Sequence, residues 1–542
     1  MSPSTPQLPE KMSSDGKVVN LLRPGVSLSK QGLLGATGLL IAANAGSKLM
    51  GFAREVLTAR AYGVSAQVDA FLVSLSVPDL VGSALGAALA AALIPQLTRL
   101  GSEQGEAQTY ARRVLSVSFS AAIALLGLTF FGARWIVNVV APGLPPTISP
   151  LAVSITRILS LVTASLFLDR VLTGIFQGFH HFVWPAASVL LFNACSIVFL
   201  VIFAPSRGIW ALVDGWTLGV ILAMIVQAIF LFRFLGAPIL RGLPASDLRW
   251  LGRTGLEIFF LTSVPGLLYV IARAVAARLQ EGSVATLGYS QRLFQLPVEV
   301  VIMGVLLGAY PMLSKLSNQK SSGKLAASAD ELCRTIMLLS TLVTALMVVL
   351  SHDLVELAFQ RGAFDARATA VTARVLFCMA PALPGLATAM LVMRVFMSCG
   401  QTRQAFSPVL LALLLDGGLS WLLAPRFGTP GIAAAFSLTW TILAVQMTFA
   451  LHRHVPEFRP FPFLFSAGRT CLTAALTCAV MIFVYDKTGI LHLFLAGVAT
   501  AVFFLGFVLL FEPEQRSIVQ KLGRRFGELT RQFAPQFEAS SS

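Results

Sequence analysis

The sequence predicts an all-α polytopic membrane protein of about fourteen transmembrane helices, built as two pseudo-symmetric six-helix lobes plus a C-terminal helix pair. Three observations predict it. The 542 residues are 56% hydrophobic and only 12% charged, with a mean hydropathy of +0.79, which leaves too few charges to cover a soluble globule of this size. Stretches long enough to cross about 30 Å of hydrocarbon recur along the whole chain. The chain also repeats itself weakly, at an offset of about 220 residues.

Taken in order, the first apolar segment, 32–52, follows a polar stretch and ends on Lys48 and Arg54. The second, 69–97, begins at Asp69, is interrupted by Pro78 and Pro95, and contains the small-residue run Gly82-Ser-Ala-Leu-Gly-Ala-Ala-Leu-Ala-Ala-Ala92, which permits close helix contact or lines a cavity wall. Segments 114–140, 148–175, 186–205 and 209–232 complete the first set of six. The second set comprises 255–278, 287–313 (interrupted by Pro297 and Pro311), 333–351, 370–397, 407–424 and 430–451, and the final pair is 467–485 and 490–511.

The repeat supports this division. Ala92-Leu-Ile-Pro-Gln-Leu-Thr-Arg-Leu100 returns as Gly308-Ala-Tyr-Pro-Met-Leu-Ser-Lys-Leu316, the stretch around Arg157 returns around Arg374, and Gly208-Ile-Trp-Ala with Trp216 returns as Gly431-Ile-Ala-Ala with Trp440. The expected organisation is a disordered cytoplasmic tail over 1–31, a first lobe over 32–234, a cytoplasmic linker over 235–254, a second lobe over 255–451, an extra helix pair over 467–511 and a basic cytoplasmic tail over 512–542. Two similar halves that hold a substrate between them and rock against each other are a signature of alternating-access transport.

The formal charge of +15 does not point to nucleic acid, because the positive residues sit mostly in alternate loops. Lys11, Lys17, Arg23 and Lys30 precede the first segment, Arg99, Arg112 and Arg113 follow the second, Arg241, Arg249 and Arg253 the sixth, and Lys315, Lys320 and Lys324 the eighth. Lys521, Arg524, Arg525 and Arg531 lie near the end of the chain. By the positive-inside rule both termini are expected in the cytoplasm. The start of the chain has no signal-peptide pattern. The six cysteines show no CxxC spacing and the six histidines no ligand pattern, so neither disulfide nor metal is inferred.

No phosphate loop, HExxH or GxSxG motif occurs, and the loops are too short for a nucleotide-binding domain or for the large extramembrane loop of a polytopic glycosyltransferase. The expectation is a transporter with no catalytic residues and no cofactor, driven by an ion gradient, the membrane potential or consumption of its product. Ionisable groups at helix depth are then the candidate site. Lys48, Arg54, Asp69, Asp79, Arg157, Asp169, Asp214, Arg273, Arg292, Glu299, Arg374, Arg394 and Asp416 all fall at or near helices, and any one of them could equally snorkel to the interface or serve a structural ion pair. Basic residues recur in both halves, however. If Lys48 and Arg54 converge with Arg273 and Arg292 they make a cationic cavity suited to a phosphate-bearing substrate. Pro78, Pro95, Pro297 and Pro311 break helices at related places, as binding sites and gates of such transporters do, although proline kinks are common in membrane helices.

The residues also carry a resemblance. Gly51-Phe-Ala-Arg-Glu55, Ala59-Arg-Ala-Tyr-Gly63, Asp69-Ala-Phe71 and Pro78 resemble the opening of the MurJ (MviN) lipid II flippase family of the multidrug/oligosaccharidyl-lipid/polysaccharide exporter superfamily, and Ala141-Pro-Gly143, Arg292 with Pro297, Arg361-Gly-Ala-Phe-Asp365 and Arg394-Val-Phe396 ahead of Thr402-Arg403 continue it. The resemblance implies an inner-membrane flippase that carries an undecaprenyl-linked peptidoglycan precursor to the outer leaflet. The head group would sit in a central cationic cavity that opens inward, with the lipid tail in a groove beside the last two helices. It maps cavity roles onto Arg54, Arg292 and Asp69, with Lys48 where the family usually has Arg. After Pro78 this chain has Gly82-Ser83 and Ala87 where the family typically shows an Arg pair and a Glu, and Gln291 where it has an acid. Those departures keep another polyprenyl-linked oligosaccharide (exopolysaccharide, capsule or O-antigen) open as the cargo. A MATE-type drug or cation antiporter would want an acidic cavity and twelve helices. The expected partners are the lipid-linked glycan, membrane lipids and cell-wall synthesis proteins, with the chain a monomer.

Overall fold

The computed structural model describes residues 30–101, 104–239, 242–319, 322–484, 490–512, 515–516 and 518–520. Most of the two expected tails, with Lys11, Lys17, Arg23, Lys521, Arg524, Arg525 and Arg531, lies outside the described residues, as do Arg241 and Lys320.

Regular structure among the described residues is helical: α1 (Lys30–Tyr62), α2 (Ala66–Val77), a π-helical turn π1 (Pro78–Ala84), α3 (Leu85–Leu100), α4 (Gln104–Val140), α5 (Ser149–Gly178), α6 (Val183–Arg207), α7 (Ile209–Leu235), α8 (Ala245–Thr262), α9 (Val264–Ala276), α10 (Ser283–Pro297), a second π turn π2 (Val298–Ile302), α11 (Met303–Asn318), α12 (Ser322–Val349), α13 (Ser351–Phe359), α14 (Ala366–Met379), α15 (Ala382–Ser398), a 3-10 turn (Thr402–Ala405), α16 (Phe406–Phe427), α17 (Thr429–His454), α18 (Pro460–Val484) and α19 (Ile490–Phe511). Each expected apolar segment falls on one of these helices or on a helix broken in two. Among the described residues ten helices are long and apolar enough to cross a membrane, or twelve if each bent pair is one span. Large apolar side chains such as Phe131 and Phe483 point outward, as a hydrocarbon solvent requires.

The packing repeats with the sequence. In the first half α1 lies on α6, α6 on α7, α7 on α5, α5 on α4, and α2 and α3 on α5; in the second, α9 lies on α16, α16 on α17, α17 on α15, α15 on α12, and α10 and α11 on α14 and α15. The final pair α18 and α19 packs on α12. Gly208 and Gly428 separate the matching helix pairs α6/α7 and α16/α17 with φ of +55° and +64°, a backbone shape open to glycine. The structural counterpart of Gly208 is therefore Gly428, three residues before the Gly431 that sequence matching selects.

The π turns stand at the prolines expected to break these helices, π1 beginning at Pro78 and π2 directly after Pro297. A proline has no N–H to donate four residues back, so the ladder widens by one residue there. Pro95 and Pro311 differ: each sits inside a helix that continues past it. Two further interruptions were not expected, one at Ser263 between α8 and α9, with Pro265 beginning the new helix, and one of 45° between α14 and α15 around Pro381. Helix α8 also begins at Ala245, inside the stretch expected to be linker, and packs against α3.

The small-residue run has a clear structural use. A Cβ on Gly82 would lie 2.8 Å from the Thr163 carbonyl oxygen, and one on Gly86 would lie 2.9 Å from Arg170 Cβ and from the Phe167 carbonyl oxygen. Helix α5 therefore rides directly on the backbone of π1 and α3, the close approach that small residues allow in a membrane.

Candidate functional site

The two halves meet through α1, α2, π1 and α3 on one side and α8, α9 and α10 on the other. Three of the expected cations come together at this seam. Arg54 on α1 is 5% exposed. Its Nη1 donates to Asn193 Oδ1 at 3.1 Å, its Nη2 to Glu55 Oε1 at 3.0 Å, and its guanidinium carbon lies 4.0 Å from the Trp216 ring centroid and 5.0 Å from that of Phe192. Asn193 is itself fixed, donating to the carbonyls of Ser47 and Val189. The aromatic and amide partners come from α6 and α7, so the first half alone holds this guanidinium in one orientation, with cation–π attraction added to the hydrogen bonds.

Arg292 on α10 reaches across the seam to the same carboxylate, with Nε 3.4 Å from Glu55 Oε1. Glu55 thus stands between two guanidinium groups from opposite halves. It supplies the acid that Gln291, immediately before Arg292, does not. Arg273 on α9 also crosses, donating from Nη1 to the Leu72 carbonyl at 3.1 Å and to Ser76 Oγ at 3.0 Å, with Asp79 Oδ2 at 3.7 Å. The Leu72 carbonyl also accepts from Ser76 Oγ at 3.3 Å, and Asp79 is the second residue of π1. Three guanidinium groups face two carboxylates here, leaving an excess of positive charge in a setting where each charge must be paired or hydrated.

The expected inward-opening cavity is closed in this structure. The space bounded by Glu55, Trp216, Arg273, Tyr289, Gln291 and Arg292 is only about 20 Å³, near the smallest volume that holds one water. Lys48 lies apart from it, its Nζ 2.7 Å from Glu299 Oε2 on π2, with both side chains over 40% exposed. That pair also joins the halves. Asp69 is not among the lining residues either. Its carboxylate accepts from the backbone N–H of Gly282 at 2.7 Å and of Ala285 at 2.6 Å, capping α10 from the other half. Nearby, Tyr289 donates its hydroxyl to the Gly63 carbonyl at 3.0 Å, and Ala363 N–H, in the Arg-Gly-Ala-Phe-Asp run, to the Arg60 carbonyl at 2.9 Å. A side chain on Gly63, whose φ is +57°, would run into the Ala363 carbonyl. The end of the bundle that carries Tyr62 is therefore sealed backbone against backbone.

The other candidate charges divide. Asp169 accepts from Gln227 Nε2 within the first half, Asp214 pairs with Arg207 at 2.6 Å, Arg394 stands 5.8 Å from the Tyr310 ring centroid, and Arg157 and Arg374, matched in the repeat, are both exposed. Asp416 on α16 is 0% exposed and lies beside Thr439 of α17. Among the described residues His352, Asp353 and Glu356 bring three ligand-type atoms within 4.8 Å of one another, on the half-exposed helix α13. Sequence reasoning did not single out Glu55, Asn193, Arg170 or Gln227. Only their placement in apolar helices could have flagged them.

A family model described as lipid II flippase MurJ matches residues 58–535. The lipid II flippase MurJ of Burkholderia cenocepacia is 30% identical over 355 residues, 63% of this chain and 68% of its own, and a probable lipid II flippase MurJ of Rhizobium tropici is 27% identical over 427 residues, 76% and 79% of the two chains. Among solved structures, lipid II flippase MurJ in an inward closed conformation superposes with a TM-score of 0.75 at 20% identity, covering 89% of this chain and 99% of that one. A multidrug resistance MATE family transporter of the MOP superfamily, inward-facing, superposes with a TM-score of 0.65 at 15% identity over 76% and 95%.

Proposed function

Because this chain belongs to the lipid II flippase MurJ family, we propose that it moves lipid II from the inner to the outer leaflet of the cytoplasmic membrane by alternating access, with Arg54, Arg273 and Arg292 receiving the pyrophosphate. It is a transporter, not an enzyme. The lobes are taken as 32–234 and 255–451, both termini as cytoplasmic, and the sealed Tyr62 end as periplasmic. On this reading the closed arrangement is one end of the cycle. Parting the halves on the cytoplasmic side separates Glu55 from Arg292 and Asp79 from Arg273, and the pyrophosphate takes the place of those carboxylates. Guanidinium forks suit that exchange because they bind phosphate oxygens two at a time. A substrate that binds the open form in this way shifts the population toward it by no more than its differential affinity for the two forms.

One observation carries the reading: arginines from both halves share a carboxylate at a seam too tight for cargo. An antiporter of organic cations would gain nothing from an excess of buried guanidinium. The test is complementation in a bacterium depleted of its own lipid II flippase, with the intact chain beside Arg54→Ala and Arg292→Ala at equal membrane levels. Rescue by the intact chain and loss in both variants is expected. Rescue by a double variant would remove the arginines from the mechanism. Failure of a well-inserted intact chain would move the cargo to another polyprenyl-linked glycan.

A further inference from the structure

The first half contains a second cavity, about 170 Å³ in volume, that shares Trp216 with the closed seam. By the same measure one water needs only about 10–15 Å³. Asp79, Ser83, Asp169, Arg170, Ser188 and Trp216 lie on its wall, an expensive collection inside a membrane if it served packing alone. The polar groups are held in place. Gln227, 0% exposed, donates Nε2 to Asp169 Oδ1 and, at 2.9 Å, to Ser188 Oγ, while Thr173 donates to its Oε1 at 3.3 Å. Arg170 Nη2 stands 3.7 Å from Asp169 Oδ2, and its Nε is buried without a hydrogen-bond partner. The bare backbone at Gly82 and Gly86 is what lets α5 bring Asp169 and Arg170 to this place.

Asp79 faces Arg273 across the seam and also lines this cavity, so the two spaces are neighbours. Fixed carboxylates that accept from hydroxyls, a guanidinium that donates to a carbonyl, and indole and phenyl surface for C–H groups together form the chemistry of a carbohydrate site. We infer that this cavity is the glycan subsite: it takes the hydroxyl- and amide-bearing sugar ring attached to the pyrophosphate, while the arginines take the phosphates. The inference rests on the function proposed above, since the sugar must lie within a bond or two of the phosphates.

The test measures binding of two lipids to the purified full-length protein in nanodiscs: lipid II, and undecaprenyl pyrophosphate, which lacks the sugars. Asp169→Asn removes the charge, and Ser83→Leu fills the cavity without touching the Gln227 network. Each should weaken lipid II binding roughly tenfold, about 1.4 kcal/mol, to the level of undecaprenyl pyrophosphate, and leave binding of the latter unchanged. Arg292→Ala should weaken both. Equal losses for both lipids in Asp169→Asn and Ser83→Leu, or no loss in either variant, would overturn the subsite. An intact protein that binds neither lipid would instead overturn the proposed function beneath it.

Discussion

Glu55 is the residue on which the seam turns. Its carboxylate neutralises Arg54 at 3.0 Å within its own half and Arg292 at 3.4 Å from the other. Gln in its place keeps the shape and one acceptor but leaves two guanidinium groups facing each other with their shared counter-charge gone. Removing one partner of a fully buried ion pair costs about 3–5 kcal/mol, less here because Arg292 is 30% exposed. The closed form loses that stabilisation, while an anion arriving from outside no longer has to displace a carboxylate. Glu55→Gln is therefore expected to bind undecaprenyl pyrophosphate several-fold more tightly, in line with about 1 kcal/mol, and yet to complement poorly because release is slowed. Unchanged or weaker binding would mean that Glu55 does not compete with the phosphates. The candidate arginines were legible in the sequence because a charge in an apolar helix stands out. Apart from Asp79, their partners were not. Glu55 is adjacent to Arg54 and reads as one more interface residue, and Asn193 is neutral, so nothing in composition separates it from residues that bond their own helix.

At the level of elements, the two π turns distinguish this bundle from a set of straight rods. The first begins at Pro78 and the second directly after Pro297, at matching places in the repeat, and each delivers an acid to the seam: Asp79 to Arg273 and Glu299 to Lys48. Alanine at Pro297 restores the missing N–H and the option of an unbroken α-helical ladder, which turns the following residues by about 100° per residue lost from the bulge. Glu299 then leaves Lys48. Pro297→Ala is expected to raise the thermal midpoint, because a helix interior without proline is more stable, and to slow flipping on the order of tenfold, as about 1.4 kcal/mol on a conformational barrier would. A variant that flips at the normal rate would make the turn a packing feature. π turns stand at Pro78 and Pro297, whereas at Pro95 and Pro311, where the same logic placed breaks, the helix continues past the ring. That logic also passed over Ser263 and Pro381, where the helix does not. Whether a proline kinks a membrane helix depends on neighbouring helices that can satisfy the freed carbonyl, and a single sequence does not display those neighbours.

For the whole molecule, the two-lobed helical plan was legible because hydrocarbon thickness fixes helix length and the repeat fixes the division, whereas the closure of the seam depends on how side chains from distant helices meet. That closure invites a direct test. Lys48 and Glu299 join the lobes at 2.7 Å, but with both side chains over 40% exposed the pair contributes at most about 1 kcal/mol, so removing it should not by itself hold the lobes apart. Two long side chains meeting at their tips also place the backbones too far apart for a disulfide, which needs Cα atoms within about 7 Å. A short thiol-to-thiol crosslinker with a cleavable centre spans the distance instead. In a version whose six native cysteines are replaced, Lys48→Cys with Glu299→Cys should retain measurable flipping, lose nearly all of it once the crosslinker ties α1 to π2, and regain it when the linker is cleaved. Single-cysteine versions treated in the same way should be unaffected. If the tied protein still flips, the lobes do not part at this seam, and the exchange of Glu55 and Asp79 for phosphate cannot be how the cargo enters.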